Sequence, residues 1–143
     1  MAITAIGLAR YAREYFDSAK AADAVVGIRK GYEVIAPSPV MFLTAHSIEL
    51  ALKAFIFHKG KTNIQSFGHN LNRLWCVCQE NGINELVKLN AEEMGTLQLI
   101  SLLHTSTELR YINTGFKTYP AFGPLEHLAK KILDAVCPAV GYK

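Results

Sequence analysis

Apolar residues recur every three to four positions from about Thr4 to Ile28, at Leu8, Tyr11, Ala12, Tyr15, Phe16, Ala19, Ala22 and Val26. That spacing predicts a long first helix with one buried stripe. Its charges stand four apart, Arg10 with Glu14 and Arg13 with Asp17, the pattern of weak surface pairs on a solvated face. Gly31, Pro37 and Pro39 then break helical continuity, so Gly27 to Pro39 reads as a connection. Ser38-Pro39 is a start signal, with Ser38 as the expected N-cap and Pro39 at the first helical position. A second helix is predicted from there to about Lys59, stopped by Gly60. It is apolar almost all round, through Met41, Phe42, Leu43, Ile48, Leu50, Ala51, Leu52, Ala54, Phe55, Ile56 and Phe57, which marks it as the central helix. Its polar residues His46, Glu49 and Lys53 share a sector roughly 60° wide.

A small-residue loop, Lys61 to Gly68, leads into a third helix carrying Leu71, Leu74, Trp75 and Cys78 at helical spacing and closed by Asn81-Gly82. A short helical turn is expected around Ile83 to Leu89. Asn90 with Glu93 three residues later forms a capping-box start for a fourth long helix, through Met94, Leu97, Ile100 and Leu103 toward Leu109. The hydroxyls of Thr105-Ser106-Thr107 are expected to bend it. Asn113 to Pro124 reads as loop, and a last helix from Pro124 to Val136 buries Leu125, Leu128, Ile132 and Val136 ahead of a frayed tail from Pro138 to Lys143. No period-two strand is found, so the expected fold is all-α, a mostly antiparallel bundle of four to five helices in one domain spanning 1–143.

Composition narrows the class. At 143 residues, 50% apolar and 19% charged, the chain has globular composition, and disorder or low complexity is excluded. Arg10, Arg13 and Glu14 interrupt the N-terminal apolar stretch, so no secretory signal is expected, and no run of about 18 apolar residues stands out as a membrane span. The expectation is a soluble, cytoplasmic protein. A net charge of +3 is far below the basic footprint of a dedicated duplex-binding domain. Of the three cysteines, Cys76 and Cys78 project about 200° apart on a helix, which suits neither a disulfide nor a chelating pair. Cys78 reads as core and Cys137 as a tail residue before Pro138.

Candidate chemistry is concentrated in one polar set. No Glu precedes a His at the Glu-x-x-His spacing of di-metal bundles; His46 and Glu49 stand in reverse order, and His104 with Glu108 is a single i,i+4 pair. No metal and no cofactor is expected on that basis, and no Gly-rich phosphate loop is present. The set that remains is Glu49 and Lys53 on the second helix, His69 at the start of the third, and Arg110-Tyr111 after the fourth. Charges on an otherwise apolar helix must be hydrogen-bonded or they are costly, and His69 and Arg110 are the natural partners if the helices pack on that side. The set is either a network that fixes helix register or the lining of a cleft.

At these residues the sequence resembles the HEPN family, the helical domains named for higher eukaryotes and prokaryotes nucleotide-binding. The resemblance is carried by Ala45-His46-Ser47-Ile48-Glu49-Leu50-Ala51-Leu52-Lys53-Ala54-Phe55, by Gly68-His69-Asn70-Leu71 and by Leu109-Arg110-Tyr111, in that order over about residues 40 to 111. It implies a helical bundle that commonly dimerises with polar clefts about the dimer axis. Some members are metal-independent RNases of toxin, antiphage or RNA-processing systems; others bind nucleotides without catalysis or pair with a nucleotidyltransferase. The RNase members carry an Arg, then four to six residues, then a His that serves as acid or base. None of Arg10, Arg13, Arg29, Arg73 and Arg110 has a His at that spacing, and Gly115, Phe116 and Lys117 stand where it would follow Arg110. The resemblance therefore implies first a noncatalytic, homodimeric module whose Glu49, Lys53, His69, Arg110, Tyr111 and Lys117 meet a nucleotide or single-stranded RNA. In that reading Tyr111 stacks on a base and Lys117 holds a phosphate. The alternatives are a divergent ribonuclease using His69, Arg110 and His46, and a structural partner of a nucleotidyltransferase.

Overall fold

A computed structural model of the chain describes residues 2–106, 109–110 and 118–143. Among them are five α-helices and no strand: α1 (Ala5–Val26), α2 (Ser38–His58), α3 (Leu71–Glu80), α4 (Ala91–Thr105) and α5 (Phe122–Ala139). The Thr4 hydroxyl opens α1 by accepting from Gly7 N–H at 2.9 Å. Its buried stripe is Ala9, Ala12, Phe16 and Ala19. Three of those four are alanines, and their small size lets α1 lie close along α2, its most extensive neighbour. Tyr11 falls outside the stripe and is half exposed. Arg10 pairs with Glu14 at 3.7 Å as its spacing suggests. Arg13 instead reaches Asp134 on α5 at 3.0 Å, so a pair expected within one helix ties two helices together.

Helix α2 is the axis of the bundle and packs on all four other α-helices. By length and mean hydropathy, 1.6 over its best window, it could cross a bilayer, which the sequence reading did not anticipate. Its apolar surface is spent on the core instead, with 72% of that window buried inside the fold. It also starts one residue earlier than expected: Pro37 is the cap, its carbonyl accepting from Met41 N–H at 3.1 Å, and Ser38 makes no side-chain cap bond. Pro39 is tolerated in that first turn because its missing N–H would have no intrahelical partner there. Gly60, at φ +91°, supplies the left-handed residue that ends the helix run.

The loop between α2 and α3 holds a 3₁₀ turn, Ile64–Phe67, whose Ile64 is buried. Asn70 caps α3, accepting from Arg73 N–H at 3.0 Å, and Leu71, Leu74, Trp75 and Cys78 form its buried face. The turn after α3 is a 3₁₀ segment over Ile83–Glu85. The capping box of α4 is formed in both directions at 2.8 Å, Asn90 Oδ1 accepting from Glu93 N–H and Glu93 Oε1 from Asn90 N–H. Helix α4 ends at Thr105, so the hydroxyl run terminates it rather than bending it: Ser106 Oγ donates to Leu103 O at 3.3 Å. Leu109, toward which the helix was expected to run, lies in a turn.

Helix α5 starts two residues before Pro124 and runs past Val136. Cys137, expected in a tail, is buried on this helix, and the segment beyond it is fastened: Val140 is 4% exposed and Tyr142 N–H donates to Cys137 O at 2.8 Å. Pro138 lies inside the last turn of this helix, where its missing N–H leaves out one backbone hydrogen bond. Replacing Asn90 by Ala removes one side of the α4 capping box and is expected to cost about 1 kcal/mol. Thermal unfolding followed by circular dichroism should show Tm lower by about 3 °C.

Candidate functional site

Glu49 lies midway along α2 on the face that meets α3 and α4, and is only 2% exposed. A carboxylate there has lost nearly all its water, and the chain replaces that water with donors from three helical segments. Lys53, one turn on, donates from Nζ to Oε2 at 2.9 Å. His69, just before α3, and His104, in the last turn of α4, both meet Oε1, through Nδ1 and Nε2 respectively, each at 2.8 Å. An ionised carboxylate only accepts, so each imidazole presents an N–H to it. Burial alone would raise the Glu49 pKa; the hydrogen bonds from His104, His69 and Lys53 outweigh it and hold the carboxyl down at about 2, against an ordinary 4.5.

The local sequence explains these positions. Gly68, at φ +58°, turns the chain into α3 so that His69 faces Glu49 immediately ahead of the Asn70 cap. The start of α3 is fastened to α4 by Ser101, whose hydroxyl accepts from Asn72 N–H at 3.2 Å, and by Thr105, whose hydroxyl donates to His69 O at 3.3 Å. His104 is 1% exposed and follows Leu97 and Ile100 on the buried face of α4. Its other nitrogen, Nδ1, is buried with no hydrogen-bond partner among the described residues.

His46 sits one turn before Glu49. Its ring meets Tyr15 edge-on at 4.6 Å, lies nearly parallel to Phe42 at 5.8 Å and is 6.2 Å from the ring of His104. Partial burial pushes the His46 pKa below its ordinary value; Glu49 opposes that, while His104, His69 and Lys53 add to it. Arg110 closes the cluster. Its guanidinium lies 5.5 Å from the Phe42 ring centroid, and Nη2 reaches His104 O at 3.4 Å. The guanidinium thus sits beside a carbonyl in the last turn of α4, where a cation is favoured.

The fold therefore brings Glu49, Lys53, His69, Arg110 and His46 into one neighbourhood. Tyr111 and Lys117 lie outside the described residues, as does Glu108, which had been paired with His104 by spacing. Lys53 is 8% exposed and its ammonium is occupied by Glu49, so it is part of the foundation of the cluster rather than its mouth. The mouth is formed by His69, whose side chain is 48% exposed, and by exposed Arg110. Two members were missed by sequence reasoning. His104 was legible as a polar residue on an apolar stripe, seven after Leu97 and four after Ile100; Phe42 carried no signal, being one apolar residue among many. A broad groove of about 810 Å³ lined by Leu86, Lys88, His127, Lys130, Lys131 and Asp134 shares no residue with this cluster.

No protein-family model matches the chain, and comparison with curated proteins and with solved structures finds no significant match.

Glu49→Gln leaves the shape and removes the charge that three donors face. It is expected to cost about 3 kcal/mol in urea unfolding at neutral pH, the scale for breaking a buried ion pair. A carboxyl whose pKa is depressed in the fold stabilises it fully above the ordinary 4.5, and loses that contribution as pH falls from there toward about 2. The stability gap between the native chain and Glu49→Gln should accordingly be widest at neutral pH and shrink through this acid window.

Proposed function

We propose that the chain is a noncatalytic HEPN-like module, homodimeric and cytoplasmic, that binds a phosphate of a nucleotide or of single-stranded RNA at the mouth of the Glu49 cluster. The observation that carries this reading is the division of labour around Glu49. The buried carboxylate cancels Lys53 and holds His69 by Nδ1, which leaves the Arg110 guanidinium as the donor available to a phosphate from the exposed side, with the His69 ring beside it. Arginine matches a phosphate with paired N–H donors. Phe42, already stacked by His46 and Arg110, gives the mouth an aromatic wall. Within the same reading, Tyr111 stacks on a base and Lys117 adds a second cation.

Fluorescence anisotropy with labelled single-stranded RNA and with ATP, at low salt and in EDTA, tests it. Binding is expected to weaken with salt at a slope of about −1.4 in log-log form for two phosphate contacts. Arg110→Ala should abolish binding with Tm unchanged. No binding at low salt, or equal binding by Arg110→Ala, rejects the reading.

One observation favours a second reading, a metal-independent ribonuclease. The Glu49 to His69 hydrogen bond fixes an imidazole through one nitrogen and leaves the other for proton transfer, the orienting arrangement used by acid-base histidines. It predicts RNA cleavage in EDTA leaving 2′,3′-cyclic phosphate ends, lost in His69→Ala. An intact substrate after incubation with the native chain removes this reading and leaves the binding reading standing.

A further inference from the structure

The interior side of the same cluster has a composition that phosphate binding does not use. His46, Glu49 and His104 each offer one donor atom within 4.8 Å of the other two, and all three come from α2 and α4, the rigid centre of the bundle. His46 and Glu49 are one helical turn apart on α2, a spacing that puts two ligands on one face. His69 Nδ1 lies 2.8 Å from the same Glu49 oxygen that His104 meets, so a third imidazole stands at the edge of the set.

We propose that His46, Glu49 and His104, with His69 as a fourth donor, form a binding site for one divalent first-row transition cation of the zinc type. Two or three imidazole nitrogens and one carboxylate oxygen form the donor set such ions take, whereas calcium and magnesium prefer oxygen alone. His104 is 99% buried and presents Nε2 to the same Glu49 oxygen, so its donor atom is fixed at that point by the packing of α4.

The geometry needs adjustment of ordinary size. Around a tetrahedral ion with bonds of about 2.1 Å, donor atoms stand roughly 3.4 Å apart. The 2.8 Å contacts to Glu49 Oε1 must open slightly, and the widest separation, up to 4.8 Å, must close. His46 and His69 are the partly exposed members, with room to move. Lys53 on Oε2 leaves Oε1 as a single-oxygen ligand, and its charge lowers affinity, so binding in the micromolar range is expected rather than the tight capture of a structural zinc. The proposal does not rest on the phosphate reading, and its test contains neither nucleotide nor RNA.

The full chain, stripped with EDTA and dialysed free of it, is titrated with zinc chloride by calorimetry. One equivalent is expected to bind, at least tenfold more weakly to His46→Ala and with unchanged affinity to His58→Ala and His127→Ala. Substoichiometric binding by the native chain, or native affinity in His46→Ala, overturns the site. Should His46→Ala not fold, imidazole NMR of the native chain decides. Resonances of His46 and His104 should shift with the first equivalent of zinc, while those of His58 and His127 stay in place. The reverse pattern places the ion elsewhere and rejects the proposal.

Discussion

One carboxylate determines how three helical segments of this bundle meet. An ionised Glu49 removed from water on an apolar helix is costly by several kcal/mol unless its oxygens face donors. Those donors arrive from the next turn of α2, from the entry to α3 and from the last turn of α4. Sliding any of these segments by one residue would leave a buried charge without one of its donors. The Asn70, Ser101 and Thr105 contacts between α3 and α4 reinforce the same register from outside the charge.

Register and chemistry are therefore not alternatives here. The network that fixes the helices also fixes one nitrogen of His69 and the environment of Arg110, and it does so at a boundary where the inner groups are dry and the outer ones are wet. Glu49 and Lys53 nearly cancel, so the net positive character of the mouth comes from Arg110. The proposed phosphate site would draw on the outer groups and the proposed cation site on the inner ones. Both proposals start from three imidazoles gathered around a single buried acid.

Much of this was legible in the chain. The apolar run of α2 announced the central helix, and the 60° polar sector within it, roughly bounded by helical geometry, announced that His46, Glu49 and Lys53 would act together. The Asn90 and Glu93 pair gave the start of α4 to the residue. What was not legible depended on contacts between segments. Arg13 had an acceptable partner within α1 and chose Asp134 on α5 instead. Pro138 marks Cys137 and the C-terminal segment as an end by local rules, yet α5 continues through it to Ala139, and Tyr142 folds back on Cys137. His104 was weighed against its neighbour in sequence, Glu108, when its real partner was Glu49, 55 residues away. Spacing rules cover pairs within a helix; a buried charge recruits across helices, and only the burial of His104 on the stripe of α4 hinted at it.

The most direct measurement is the tautomeric state of His69 and His104, read from long-range nitrogen-proton NMR correlations of the imidazoles in metal-free, mildly alkaline buffer. If Glu49 organises the cluster, His69 carries its proton on Nδ1 and His104 on Nε2, and Glu49→Gln perturbs both rings together. Rings whose tautomers differ from this, or that do not respond to Glu49→Gln, would show that the carboxylate does not hold them and would contradict the structure's central interaction.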